Sequence, residues 1–108
     1  MTVHELATAC NLKVLVSPDP QREVDGVYIG DLLSWVMGKA GEGNAWITIM
    51  SNVNVIAVAT LSDVACVIFA EGVEPDADLI TLADTKGVNL LSSPLSAYGT
   101  AIKLHGVM

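Results

Sequence analysis

Three groups of side chains in this sequence are of types that can do chemistry: the thiols of Cys10 and Cys66, the imidazoles of His4 and His105, and the carboxylates of Glu71, Glu74, Asp76 and Asp78. Each needs neighbours to act. A nucleophilic thiol requires a base or a positive field, and Cys66 lies in the middle of an apolar run, Val64 to Ala70, where a thiol is inert core. The cysteines form no CxxC pair and have no nearby histidine. They read as two buried, reduced thiols, with a disulfide as the alternative. His4 and His105 sit near the two termini without an acidic or thiol partner at ligand spacing, whereas a metal site needs several convergent ligands. The four carboxylates cluster where a helix is expected to begin, and a helix dipole stabilises negative charge there. The cluster lacks the spacing of a Ca²⁺ loop. No catalytic set, metal site or cofactor is therefore expected.

A second kind of chemistry is hydrogen bonding to a ligand. Ser51, Asn52 and Asn54 are neutral donors and acceptors, and a similar group recurs at Ser92 and Ser93. Turn and helix-cap duty is the commonest use of such residues. Their functional meaning depends on whether the fold gathers them.

Composition limits which partners are expected. Of 108 residues, 52% are hydrophobic and 16% charged, which suits one packed domain rather than a disordered chain. The net charge is −7, and Lys13, Arg22, Lys39, Lys86 and Lys103 are scattered, so no row of cations can neutralise a nucleic-acid backbone. The apolar runs are too short to span a bilayer, and the first ten residues lack the basic and apolar regions of a secretory signal. A cytoplasmic protein, with no nucleic acid and no membrane among its partners, is expected. With so little charge to cover the exterior, a self-associating face is expected too.

The elements that position these residues follow from periodicity. Thr2 caps a short helix with Val3, Leu6, Ala7 and Cys10 on one face. Leu12 to Ser17 and Val24 to Ile29 read as extended, separated by the breaker Ser17-Pro18-Asp19-Pro20. Gly30-Asp31 opens a helix capped by Asp31, with a stripe of Leu32, Leu33, Val36 and Met37, ended by the glycines at 38, 41 and 43. Ala45 to Met50 is a strand. Ser51 to Asp63 has strand-like composition, but Val53, Ile56, Ala57, Thr60, Leu61 and Val64 keep helical spacing. A parallel return to the strand Val64–Ala70 also demands a helical crossover, so the segment is read as helix. Pro75 starts a helix that runs to Lys86 and stops at Gly87. Val88 to Leu91 is a strand, and Ser93-Pro94 opens a last helix to about Leu104.

The result is an α/β, three-layer single domain over residues 1–108, with a small, mostly parallel sheet and flanking helices. In such sheets ligands bind beyond the carboxyl ends of the strands. Those ends are Ser51-Asn52, Glu71-Gly72 and Ser92-Ser93.

The segment Ala65-Cys-Val-Ile-Phe-Ala-Glu-Gly-Val-Glu-Pro75, followed by Leu79, Ala83 and Gly87, resembles the DRTGG domain. This module is related in fold to the N-terminal domain of HPr kinase/phosphorylase and, more remotely, to those of Mur ligases. Gly30-Asp31-Leu32-Leu33 is similar to a glycine-initiated helix of the module, and Leu90-Leu-Ser-Ser-Pro-Leu-Ser-Ala-Tyr98 to its closing segment. Where the family pattern has an Asp-Arg pair this sequence has Ser51-Asn52-Val53-Asn54, and where it has Thr-Gly-Gly this one has Ala70-Glu71-Gly72. An arginine is replaced and a carboxylate gained. The sequence contains no GxxxxGK[ST] loop, so kinase activity is not implied.

The resemblance implies a bacterial regulatory or ligand-sensing module rather than an enzyme. Its expected site comprises Gly30, Asp31, Ser51, Asn52, Asn54, Glu71, Gly72, Ser92, Ser93 and Ser96, taking a small polar or nucleotide-like ligand in a homodimer. The alternative is an adaptor that docks on a larger redox or signalling enzyme as its protein partner, without a small ligand.

Overall fold

The computed structural model describes residues 1–108. Ten elements follow in order: α1 (Val3–Ala9), β1 (Lys13–Val16), β2 (Val27–Ile29), α2 (Leu33–Lys39), β3 (Ala45–Thr48), α3 (Val53–Ser62), β4 (Cys66–Phe69), α4 (Ala77–Lys86), β5 (Leu90–Ser92) and α5 (Ala97–Val107). The sheet order is β1-β5-β4-β3-β2. From β2 to β5 the strands are parallel, and β1 joins the edge antiparallel to β5 with Lys13 opposite Ser92. The mostly parallel sheet expected from the crossover argument is present, and Ser51–Asp63 does supply a helix.

Alternation along the strands divides the core in two. Ala45, Ile47, Cys66, Ile68 and Leu91 face a layer made by α1 and α5, where Leu6 and Leu104 close the packing. Trp46, Val67, Phe69 and Leu90 face the opposite layer, where Val36, Ile56, Ala59 and Leu79 from α2, α3 and α4 meet them. Both faces of β3 and β4 are buried, which is why those strands read as unbroken apolar runs.

Capping explains most helix starts. Thr2 and Glu5 form a reciprocal capping box on α1. Asn52 caps α3 by accepting from Asn54 N at 2.9 Å, and α4 ends on Gly87 in the left-handed conformation at φ 76°.

Five expectations are corrected. Asp31 does not cap α2; its carboxylate accepts instead from Thr48 Oγ1 at 2.8 Å and Ile49 N at 3.0 Å, and α2 begins at Leu33 without a side-chain cap. On that helix only Val36 is buried, while Leu32 and Met37 are exposed, and Gly38 lies inside the helix rather than ending it. Pro75 precedes α4 rather than starting it, because the Asp76 carboxylate takes the cap by accepting from Leu79 N at 3.0 Å. The last helix opens at Ala97, capped by Ser96, and not at Ser93-Pro94; it continues to Val107.

Candidate functional site

Four parallel strands pointing one way deliver their following loops to one edge of the sheet. Gly30 and Asp31 arrive from β2, Ile49 to Asn52 from β3, Ala70 to Gly72 from β4, and Ser93 from β5. Asn54 stands in the first turn of α3, and Ser96 at the start of α5, on the same side. The fold thus gathers the residues singled out in the sequence, but it uses them differently.

Several of them build the edge. Asp31 ties the end of β2 to the end of β3 through Thr48 and Ile49. Gly30 is held by its carbonyl, which accepts from Trp46 Nε1 at 2.8 Å. Ser92 and Ser93 are buried. The Ser93 hydroxyl accepts from Thr100 Oγ1 at 2.8 Å and from Leu95 N at 3.2 Å. The Ser93 carbonyl accepts from Gly72 N at 2.8 Å, and Glu71 N donates to Leu95 O at 2.7 Å. The turns after β4 and β5 are therefore stitched together, and they present Glu71 on a fixed frame.

Others stay free. Ser51, Asn52, Asn54, Glu71 and Gly72 are exposed. Glu71 sits at φ 61°, in the left-handed region that disfavours a side chain, and is followed by Gly72 at φ 70°. The chain's three ion pairs leave the Glu71 carboxylate out. A charged side chain is thus displayed where glycine is the easier residue.

The sequence gives no sign of Lys13 at this edge. The antiparallel pairing of β1 with β5 brings it there, and Lys13 Nζ donates to both carboxylate oxygens of Glu74 at 3.1 Å. With that cation neutralised, Asp31 and Glu71 leave the edge neutral to acidic. Its recognition chemistry is hydrogen bonding rather than phosphate neutralisation.

The remaining candidates fall elsewhere. Both cysteines are free and buried. Burial pushes the Cys66 thiol up to about 12 and raises that of Cys10 as well, so both are protonated at neutral pH. His4 and His105 are exposed. Of the carboxylates, Asp76 caps α4, Asp78 lies in its first turn and Glu74 holds Lys13. No three His, Cys, Asp or Glu side chains meet in a metal-holding arrangement. The single cavity, about 370 Å³, lies between α3 and α4 and not over the strand ends. No helix is long and apolar enough to cross a membrane.

Two outcomes test this description. Asp31→Ala is expected to cost about 1–2 kcal/mol in urea unfolding, since Thr48 and Ile49 lose one shared acceptor, while Asp31→Asn, which keeps an oxygen there, costs less than half as much. A thiol reagent at pH 8 is expected to label neither cysteine in the native chain within the time that labels both in denaturant. Rapid native labelling of Cys66 contradicts its burial.

No curated protein matches the chain in sequence. Among solved structures it is similar to the CBS and DRTGG domains of the regulatory region of Clostridium perfringens pyrophosphatase, complexed with the activator diadenosine tetraphosphate. That likeness has a TM-score of 0.74 at 13% identity over 95% of this chain. It is one of fold, and the chain corresponds to 45% of that structure's length. A family model of the DRTGG domain matches residues 5–107, which takes in the whole sheet, α2 to α5 and all but the first two residues of α1. The chain belongs to the DRTGG domain family.

Proposed function

We propose that this domain is a non-catalytic, cytoplasmic regulatory module that senses a small polar or nucleotide-like ligand at its strand-end edge and works as a homodimer. The observation that carries this reading is the Glu71-Gly72 turn. An unpaired carboxylate is held in a left-handed conformation on a stitched frame, at the same strand-end edge as the exposed Asn52 and Asn54. A residue kept against its backbone preference points to use of its side chain. The pyrophosphatase relative, whose regulatory region is complexed with a dinucleotide activator, supports the ligand class. The absence of an arginine at the replaced Asp-Arg position shifts the contacts toward base and ribose groups and away from the phosphates.

Thermal unfolding with adenosine, ATP and diadenosine tetraphosphate as probes tests it. A probe at about 100 times its dissociation constant adds about 2.7 kcal/mol. For a domain of this size that raises the midpoint by roughly 10 °C. Glu71→Gln removes the charge, and Asn52→Asp keeps the cap on α3 while removing the amide donor. Each is expected to at least halve the shift. The reading fails if no probe moves the midpoint, or if both variants keep the full shift.

One observation favours the adaptor reading as a second. Leu32, Trp35 and Met37, at and just before α2, are exposed, and Lys39 Nζ lies over the Trp35 ring at 5.1 Å. In that case no probe shifts the midpoint, and Trp35→Ala abolishes binding to the enzyme partner.

A further inference from the structure

The helix α3 is apolar on both sides. Val55, Ile56 and Ala59 are buried against the sheet, yet the outward stripe Val53, Ala57 and Leu61 stays exposed, Val53 at 57% and Leu61 at 74%. A helix apolar all round belongs in an interior. Beside this stripe runs the groove of about 370 Å³, whose α4 wall is Leu82 and Lys86.

Charge singles out the same face. Four of the five basic side chains have partners: Lys13 with Glu74, Arg22 with Asp63, Lys39 over Trp35, and Lys103 on the Cys10 carbonyl. Lys86 is the remaining one, in a chain of net charge −7. Four and eight residues before it on α4 stand Leu82 and Asp78, so all three share one stripe. Asp78, too, is outside every ion pair.

We infer that the α3–α4 face is covered by a second copy of this chain. Both helices lead from the carboxyl end of one parallel strand to the amino end of the next, so they lie side by side and point the same way. A two-fold axis perpendicular to them, in the plane of contact, sets each helix antiparallel on its own copy. With the axis passing Leu82, Asp78 stands opposite Lys86 of the partner subunit, and Lys86 opposite the partner's Asp78. Ala57, the midpoint of the outer stripe of α3, lines the same groove as Leu82, and an axis passing both sets Val53 opposite Leu61 of the partner subunit. Ala57 is the small residue where the backbones come closest. Charge and apolar stripes are thus self-complementary about one axis, an arrangement that contact with an unlike protein does not require.

Two ten-residue helices give a face of about 15 Å by two helix widths of about 10 Å each, roughly 300 Å² per copy. That is below the size of a stable specific interface, so the dimer is weak and concentration-dependent. The inference shares only the homodimer with the function proposed above.

Sedimentation equilibrium of the full chain, from about 1 to 500 μM, tests it. The wild type is expected to move from 11.3 kDa toward twice that mass. Lys86→Asp and Asp78→Lys each set like charges against each other and raise the dissociation constant about 10-fold or more. The double variant Asp78→Lys/Lys86→Asp restores opposite charges and returns the constant to within about 3-fold of wild type. Ala57→Arg, which crowds the axis, leaves a folded monomer by circular dichroism. A chain monomeric throughout overturns the inference, as does a dimer indifferent to Lys86→Asp or Ala57→Arg, or a folded double variant that fails to regain the dimer. Loss of the ligand shift on Glu71→Gln with an unchanged mass belongs to the edge alone, so the two readings fail separately.

Discussion

Asn89→Leu is expected to lower folding stability by about 3–5 kcal/mol, measured as the fall in urea-unfolding free energy at constant m. Asn89 is 2% exposed, and its amide is fully used. The oxygen accepts from Asp19 N at 2.9 Å and Ser17 Oγ at 3.2 Å; the nitrogen donates to Asp19 O at 2.7 Å and Ala65 O at 2.9 Å. One side chain thus fastens the Ser17–Pro20 loop to the amino ends of β4 and β5. Leucine has a similar size but strands the Ala65 carbonyl and releases the loop. Leaving a buried polar group unpaired costs about 1–3 kcal/mol, and at least two are left here. Asn89→Asp fares no better, because a carboxylate offers no donor to the two carbonyls. A loss below about 1 kcal/mol would show that the loop is held by other contacts.

Trp46→Ala carries the second large effect, about 3–5 kcal/mol. Against a typical stability of roughly 5–15 kcal/mol, that takes the domain close to unfolding. Trp46 is fully buried in β3 between the sheet and the helices α2 to α4. Trp46→Phe is the informative partner. It leaves a smaller void and removes the hydrogen bond to Gly30 O, for an expected cost of about 2 kcal/mol. Because that bond secures the end of β2, Trp46→Phe is also expected to speed amide exchange at Gly30, whose N–H donates to Ile47 O. Unchanged exchange there would mean that the strand end is held without the indole.

Much of the architecture was legible because periodicity and connection rules constrain each other. Ser51–Asp63 has the residues of a strand, but only a helix can return the chain from β3 to a parallel β4, and α3 lies there. The face was harder to read. The spacing of Val53, Ala57 and Leu61 marks a helix correctly, yet this stripe points outward while Val55 and Ala59 pack inward. In a helix apolar all round, spacing alone does not identify the inner side.

Helix starts failed where two local signals competed. Pro75 and Asp76 both suit a helix opening, and the hydrogen bond from Leu79 N decided for Asp76 as cap. Ser93 and Ser96 both suit a cap, but the Ser93 hydroxyl is taken by Thr100. Asp31 was misread for another reason. Its partners Thr48 and Ile49 belong to the neighbouring strand, and no local pattern shows that adjacency. For the candidate site, position was therefore readable and duty was not. Strand direction places Ser51, Glu71 and Ser93 at one edge, but only the packed structure separates the braces, Asp31 and Ser93, from the free groups, Asn54 and Glu71.

The most direct test of the strand-end edge as a ligand site is a titration of the uniformly ¹⁵N-labelled domain with adenosine and with diadenosine tetraphosphate, followed by amide chemical shifts. Saturable changes are expected at Ser51, Asn52, Glu71 and Gly72, with those at Glu71 and Gly72 weakened in Glu71→Gln. Changes confined to the α3–α4 groove, or no saturable change at the edge with either probe, would contradict it.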